Sequence, residues 1–109
     1  KGVIPTSGIY DLPHWPEPGQ VPTGLEQGFG SEQATLQRAS PINHLTASAP
    51  PFLITYTDND LYLLPEQAHN FYSAFLRRGL TARLVEIPDR FHCCPSTFSM
   101  GWDNPRWLW

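Results

Sequence analysis

Several things are scarce in this 109-residue sequence, and each scarcity closes off a class of protein. No apolar run approaches the ~20 residues a membrane-spanning helix needs, and no basic-then-apolar leader is present, so no membrane partner is expected. Only seven Lys and Arg are scattered against ten Asp and Glu, giving a net charge of −3 and no basic patch for nucleic acid. The two cysteines are the neighbours Cys93 and Cys94, whose side chains diverge too far for a relaxed disulfide or a tetrahedral zinc site. They read as ordinary thiols, which leaves localisation open and leans toward a reducing, cytoplasmic setting; a nucleophilic cysteine beside His92 is the alternative. His14, His44 and His69 offer no HxH, HExxH or CxxC spacing, so no metal is expected. Gly28-Phe29-Gly30 lacks a preceding strand and a third glycine, so no dinucleotide or other cofactor is expected either.

What remains is a chain with enough aromatic residues (13%) to escape the composition of disorder, and long enough for one core. It begins Lys1-Gly2-Val3-Ile4 and enters an apolar run at once, which reads as the continuation of something longer. Gly2 to Pro5 reads as a short buried strand closed by a turn at Ser7-Gly8. Eight Pro and Gly residues between Pro13 and Gly30 forbid a long regular element there, so residues 13–45 read as an ordered, cap-like excursion pinned by Trp15, Leu25 and Phe29. Within it Ser31 reads as the cap of a short helix with an acidic first turn, stopped at Ser40-Pro41.

The second half is more regular. Phe52 to Tyr56 is a continuous apolar and β-branched run, as expected for a strand buried on both faces. Pro65 suits a first helical position, Ala68, Phe71, Tyr72, Phe75 and Leu76 follow at i, i+3, i+4, i+7 and i+8, and Arg77-Arg78-Gly79 supplies the stop. A strand follows over Ala82 to Ile87. Strand, helix and strand with these connections form a right-handed unit with parallel strands, and ligands in such sheets sit at the strands' carboxyl ends. The loops after Tyr56 and Ile87 carry Asp58-Asn59-Asp60 and Asp89-Arg90-Phe91-His92. A carboxylate on one and an imidazole on the other are able to meet there, the acid fixing the tautomer and stabilising the imidazolium. Loop Asp residues and a packed histidine are the plainer reading of the same residues.

Pro50-Pro51-Phe52 through Asp60, the helix ending Leu76-Arg77-Arg78-Gly79, and Val85 through His92 together resemble the C-terminal part of an α/β-hydrolase of the esterase, lipase and arylformamidase-like kind. Ser7-Gly8-Ile9-Tyr10-Asp11-Leu12 resembles that family's turn after its sixth strand, and Ala39 to Leu45 its segment before the acid-bearing strand. The resemblance covers residues 2 to 92. It implies a three-layer α/β fold with a small parallel sheet equivalent to the family's last three strands, near residues 2–5, 52–57 and 83–87, so that residues 1–109 form a single partial domain. It also implies the catalytic acid at Asp60 and the catalytic histidine at His92. Asp58 is the fallback, because Thr57 stands where the family usually has glycine three residues before the acid.

The family's nucleophile lies in Gly-x-Ser-x-Gly, and no such frame occurs here: Ser7 has Pro5 before it and Ile9 after, and Ser31 has Gln33 after. Ser7 reads as a structural turn residue. The expectation is therefore the acid-and-histidine segment of a serine hydrolase acting on a small-molecule ester or acyl compound, inactive alone. A non-catalytic binding or assembly domain on the same fold is the alternative, with Trp102, Trp107 and Trp109 as contact residues. Either way the 2–5 strand has an open edge, which predicts self-association or pairing with the missing amino-terminal half.

Overall fold

The structure is a computed structural model, and it describes residues 1–14, 27–61 and 63–91. Its elements are the helix α1 (Gln33–Ala39), a 3-10 turn at Pro41–His44, the strand β1 (Phe52–Asn59), the helix α2 (Leu64–Arg77) and the strand β2 (Ala82–Phe91). The expected cap residues at Trp15 and Leu25, together with His92, Cys93-Cys94 and the tryptophans of the tail, lie outside the described residues. Among the described residues no helix is long and apolar enough to cross a membrane.

β1 and β2 are parallel, as the strand–helix–strand order requires. Residues Phe52 to Thr57 pair with Ala82 to Ile87 in unbroken register, but Asn59 pairs with Phe91. Two residues of β1 thus span four of β2. The irregularity falls beside Pro88, which has no N–H to give to a ladder.

The amino-terminal segment lies along the other side of β1, also parallel, through bridges from Val3 to Phe52 and from Thr6 to Thr55. Val3 N–H donates to the Pro51 carbonyl, Val3 and Pro5 carbonyls accept from Leu53 and Thr55, and Ser7 N–H donates to the Thr55 carbonyl. The missing rung is the one that Pro5 cannot supply. It splits the expected third strand into isolated bridges. Val3 and Ile4 are 40% and 60% exposed, so this segment is not the buried strand its composition suggests.

β1 is the middle of the arrangement, and Leu53 through Thr57 are all buried. The side-chain alternation of a strand sends Ile54 and Tyr56 to one face, where they join Ala68, Phe71 and Phe75 of α2 and Tyr10 in the core. Leu53, Thr55 and Thr57 are buried on the opposite face, as a sheet between two layers demands. Each phenylalanine of α2 that is fully withdrawn from water contributes about 2–3 kcal/mol.

α2 presents Leu64, Gln67, Ala68, Phe71, Ala74 and Phe75 to the core. Leu76 was expected in that stripe but is 54% exposed, because the buried face drifts to Ala74 rather than running on to i+8. The helix begins at Leu64, one residue before Pro65, after Leu63 has turned through the left-handed region. At its other end Gly79 takes φ +66°, Gly79 N–H reaches the Leu76 carbonyl and Leu80 N–H the Phe75 carbonyl. That paired pattern satisfies two orphan carbonyls, and the left-handed φ favours glycine.

α1 corrects a second expectation. Its cap is Glu32 rather than Ser31, since the Glu32 carbonyl accepts the first helical bond, from Leu36 N–H, and no acidic residue lies in the first turn. Its last carbonyls are closed by side chains from the following turn: Ser40 Oγ donates to Leu36, Asn43 Nδ2 to Gln37, and His44 Nε2 to Arg38.

Candidate active site

The carboxyl end of β1 delivers Asp60 one residue beyond the strand, where its N–H donates to the Thr57 carbonyl in a tight turn. That turn folds the half-buried carboxylate back onto the backbone. Oδ2 accepts the Thr57 N–H at 3.2 Å, and Oδ1 accepts the Leu61 N–H at 2.9 Å. A third donor comes from far away in sequence: Ser7 Oγ donates to Oδ2 at 2.5 Å. These donors, two from the backbone and one from a distant side chain, hold the carboxylate in place.

Thr57 explains itself in this geometry. It is not in the left-handed region, so its backbone asks for no glycine, and the β-branched residue stands in an extended strand it favours. Its hydroxyl is fully buried without a hydrogen-bond partner among the described residues. Asp58, by contrast, is exposed, and its Oδ1 accepts from the Asn59 amide at 3.1 Å.

Ser7 reaches Asp60 because of its backbone. It has φ +48°, in the left-handed region that a non-glycine residue enters only under constraint, and its N–H is fixed to Thr55. Gly8 follows with the Tyr10 ring laid against it; a Cβ there would stand 2.8 Å from the ring's Cζ and hydroxyl. Tyr10 stacks on Phe71 with centroids 4.2 Å apart and planes 5° from parallel. Burial pushes the Tyr10 phenol up to about 12; the Gly8 amide beside it offsets part of this, and the Asp60 charge adds to it.

The segment after Ser7 has no strand partner, and side chains stand in for one. Gln67 Oε1 accepts the N–H groups of Tyr10 and Asp11 at 3.0 and 2.8 Å, and Nε2 donates to the Asp11 carbonyl at 3.0 Å. Ser40 Oγ accepts the Leu12 N–H at 2.9 Å. Gln67 is 1% exposed, so a polar residue in the apolar stripe of α2 was the sequence signal for this clamp. For Ser7 the signal was weaker: a Ser-Gly pair directly after a β-branched run.

His69 is exposed on α2, as its polar-side position implies, yet its Nε2 lies 2.9 Å from the Tyr56 hydroxyl, which donates to Glu86 at 3.0 Å. Burial, then the Glu86 carboxylate, pushes the Tyr56 phenol up to about 12. His14 Nδ1 sits 2.9 Å from the Asp11 carboxylate. Among the described residues no three His, Cys, Asp or Glu side chains gather into a group able to hold a metal ion.

No family model and no curated protein matches the sequence. Solved structures do match its fold. A truncated carbohydrate esterase from gut microbiota aligns with a TM-score of 0.69 at 22% identity, over 84% of this chain and 35% of the esterase. A thermophilic esterase of the Planctomycetes species Thermogutta terrifontis aligns at 0.61 with propionate bound, at 22% identity, over 84% and 32% of the two chains. The same esterase with butyrate bound aligns at 0.60 and 23% identity, over 84% and 34%. The chain therefore spans about a third of the length of the solved structures it matches. Its fold, a small parallel sheet with its helices, is similar to that of about a third of each of these esterases.

Proposed function

We propose that this chain supplies the acid and the histidine of a serine-dependent carboxylic-ester hydrolase, with the attacking serine carried by sequence outside it. Asp60 orients the His92 imidazole and stabilises its charged form; His92 takes the serine proton during attack and returns it to the leaving alcohol. The observation that carries this reading is the pairing of Asn59 with Phe91, because Asp60 and His92 are the residues that follow in sequence on each side of that pair. The caged Asp60 carboxylate supports it, and so does the exposure of Asp58. The propionate and butyrate bound to the esterase of similar fold favour esters of short acyl chains.

Alone, the chain has no Gly-x-Ser-x-Gly and no mechanism for attack, and it is inactive. The remainder of such an enzyme meets it along the outer edge of the amino-terminal segment. Val3, Pro5 and Ser7 turn their backbone groups toward β1, so those of Gly2, Ile4 and Thr6 alternate to the outside.

The test is a chimera in which this chain replaces the matching third of the carbohydrate esterase. Hydrolysis of p-nitrophenyl acetate is expected in the chimera and not in the chain alone. His92→Ala is expected to lower kcat by about 10⁶-fold. A chimera indifferent to His92→Ala refutes the assignment.

A further inference from the structure

We propose that Ser7 is a positioning residue for the Asp60 carboxylate, and that its left-handed backbone exists to aim the hydroxyl there. The inference rests on reading Asp60 as the acid of the pair, and extends it to a residue 53 positions earlier in the chain.

Three observations meet at this contact. The first is direction. An ionised carboxylate carries acceptors alone, so the Ser7 hydroxyl is the donor, and a charge-assisted bond of this kind outweighs a neutral one. The second is constraint. A φ of +48° is costly for serine, and it persists because its surroundings over-determine it: Ser7 N–H is tied to Thr55, Gly8 is overlaid by Tyr10, and Tyr10 and Asp11 are clamped by Gln67. A merely structural turn at this position is better served by glycine, which enters the same region without strain. Serine keeps the strain and contributes the hydroxyl.

The third is the division of labour between the two carboxylate oxygens. Ser7 Oγ and Thr57 N–H both address Oδ2, and Leu61 N–H addresses Oδ1. Two donors on Oδ2 fill its lone pairs, and the donor on Oδ1 joins them in fixing the rotation of the carboxylate. Ser7 acts through Asp60.

The experiment follows the carboxyl carbons of the aspartates by NMR through an acid titration, in the unsubstituted chain and in Ser7→Ala, Ser7→Gly and Ser7→Asn. Loss of a donor to the charged form raises a carboxyl titration midpoint. The Asp60 midpoint is expected to rise by about 1–2 units in both Ala and Gly variants, the shift equivalent to one charge-assisted hydrogen bond. It is expected to return at least halfway in Ser7→Asn, which also tolerates the left-handed region and carries a donor. Asp11 and Asp58 are expected to stay in place.

If Ser7→Ala fails to fold, Ser7→Gly carries the same comparison without strain. An Asp60 midpoint unmoved in Ser7→Gly overturns the proposal. So does a common movement of Asp11, Asp58 and Asp60, which marks loosening of the region rather than loss of one donor. The titration does not depend on catalysis. A chimera indifferent to Asp60→Asn therefore refutes the role of Asp60 while leaving this contact intact, and an unmoved Asp60 refutes the contact alone.

Discussion

Gln67 closes a ring with the backbone of Asp11: its Oε1 accepts the Asp11 N–H at 2.8 Å while its Nε2 donates to the Asp11 carbonyl at 3.0 Å. With the Tyr10 N–H also on Oε1, one buried side chain of α2 satisfies three backbone groups of a segment that has no strand to pair with. Gln67→Leu preserves the volume and removes every partner. It is expected to lower unfolding free energy by about 3 kcal/mol, measured by urea denaturation at neutral pH. Gln67→Glu keeps the two acceptor contacts through its carboxylate and is expected to cost less than Gln67→Leu; the reverse order contradicts the clamp.

Gly8 serves a close approach. The added Cβ of Gly8→Ala meets the Tyr10 ring at 2.8 Å, and that ring is not a flexible end, because it is stacked on Phe71. A loss of about 1–3 kcal/mol in stability is expected from the forced shift. Combining it with Tyr10→Leu relieves the clash, so the double variant is expected to lose less than the sum of the two single changes. Additive losses in denaturation would place the cause elsewhere.

Two tyrosines tie stability to alkaline pH. Tyr10 and Tyr56 have phenol pKa values raised to about 12 from 10.0, chiefly by burial of their neutral forms. Between those values the folded chain holds protons that the unfolded chain has released, so stability is full below pH 10 and falls as pH rises toward 12. For Tyr10 the loss is on the order of 2–3 kcal/mol once pH reaches 12. The Tyr10 hydroxyl lies beside the Gly8 amide but makes no well-aligned hydrogen bond among the described residues, so Tyr10→Phe is expected to be near neutral at pH 7 and to flatten the alkaline decline. Thermal melts from pH 8 to 12 read both effects. An unchanged decline in Tyr10→Phe would remove Tyr10 from the account.

The outer edge of the amino-terminal segment predicts association. Val3 and Ile4 are exposed beside the outward backbone groups of Gly2, Ile4 and Thr6, and such an edge templates pairing with another strand. Sedimentation velocity of the chain alone is expected to show concentration-dependent self-association that Ile4→Lys suppresses. A monomer at every concentration would leave the edge without a role.

The sequence made the parallel strands, α2 and its glycine stop legible because each rests on local chemistry: a β-branched run, an apolar stripe, a left-handed terminus. Its misreadings came from effects that local pattern does not carry. Ser31 looked like a cap, but the helix takes its first bond from Glu32. Gly2 to Pro5 looked like a buried strand, but Pro5 breaks the ladder, and the apolar side chains beside it stand in water. Leu76 followed the helical period, yet the buried face turned to Ala74. Resemblance prefers Asp60 to Asp58, but it gives no sign that the Asp60 carboxylate is met by Ser7, 53 residues away, which reads as an ordinary turn residue. Gln67 stands out as a polar residue in the apolar stripe of α2, yet nothing in the helix names the segment it holds.

The central claim is that Asp60, and not Asp58, is the partner of His92, and the imidazole itself reports on that. Nitrogen NMR of His92 in the chain, with Asp60→Asn and Asp58→Asn beside it, reads both tautomer and titration. A carboxylate bonded to the ring raises an imidazole midpoint, so Asp60→Asn is expected to lower that of His92 by about one unit and to release the Nδ1–H tautomer. Asp58→Asn is expected to leave both in place. A His92 titration indifferent to Asp60→Asn, or one that follows Asp58→Asn instead, contradicts the account.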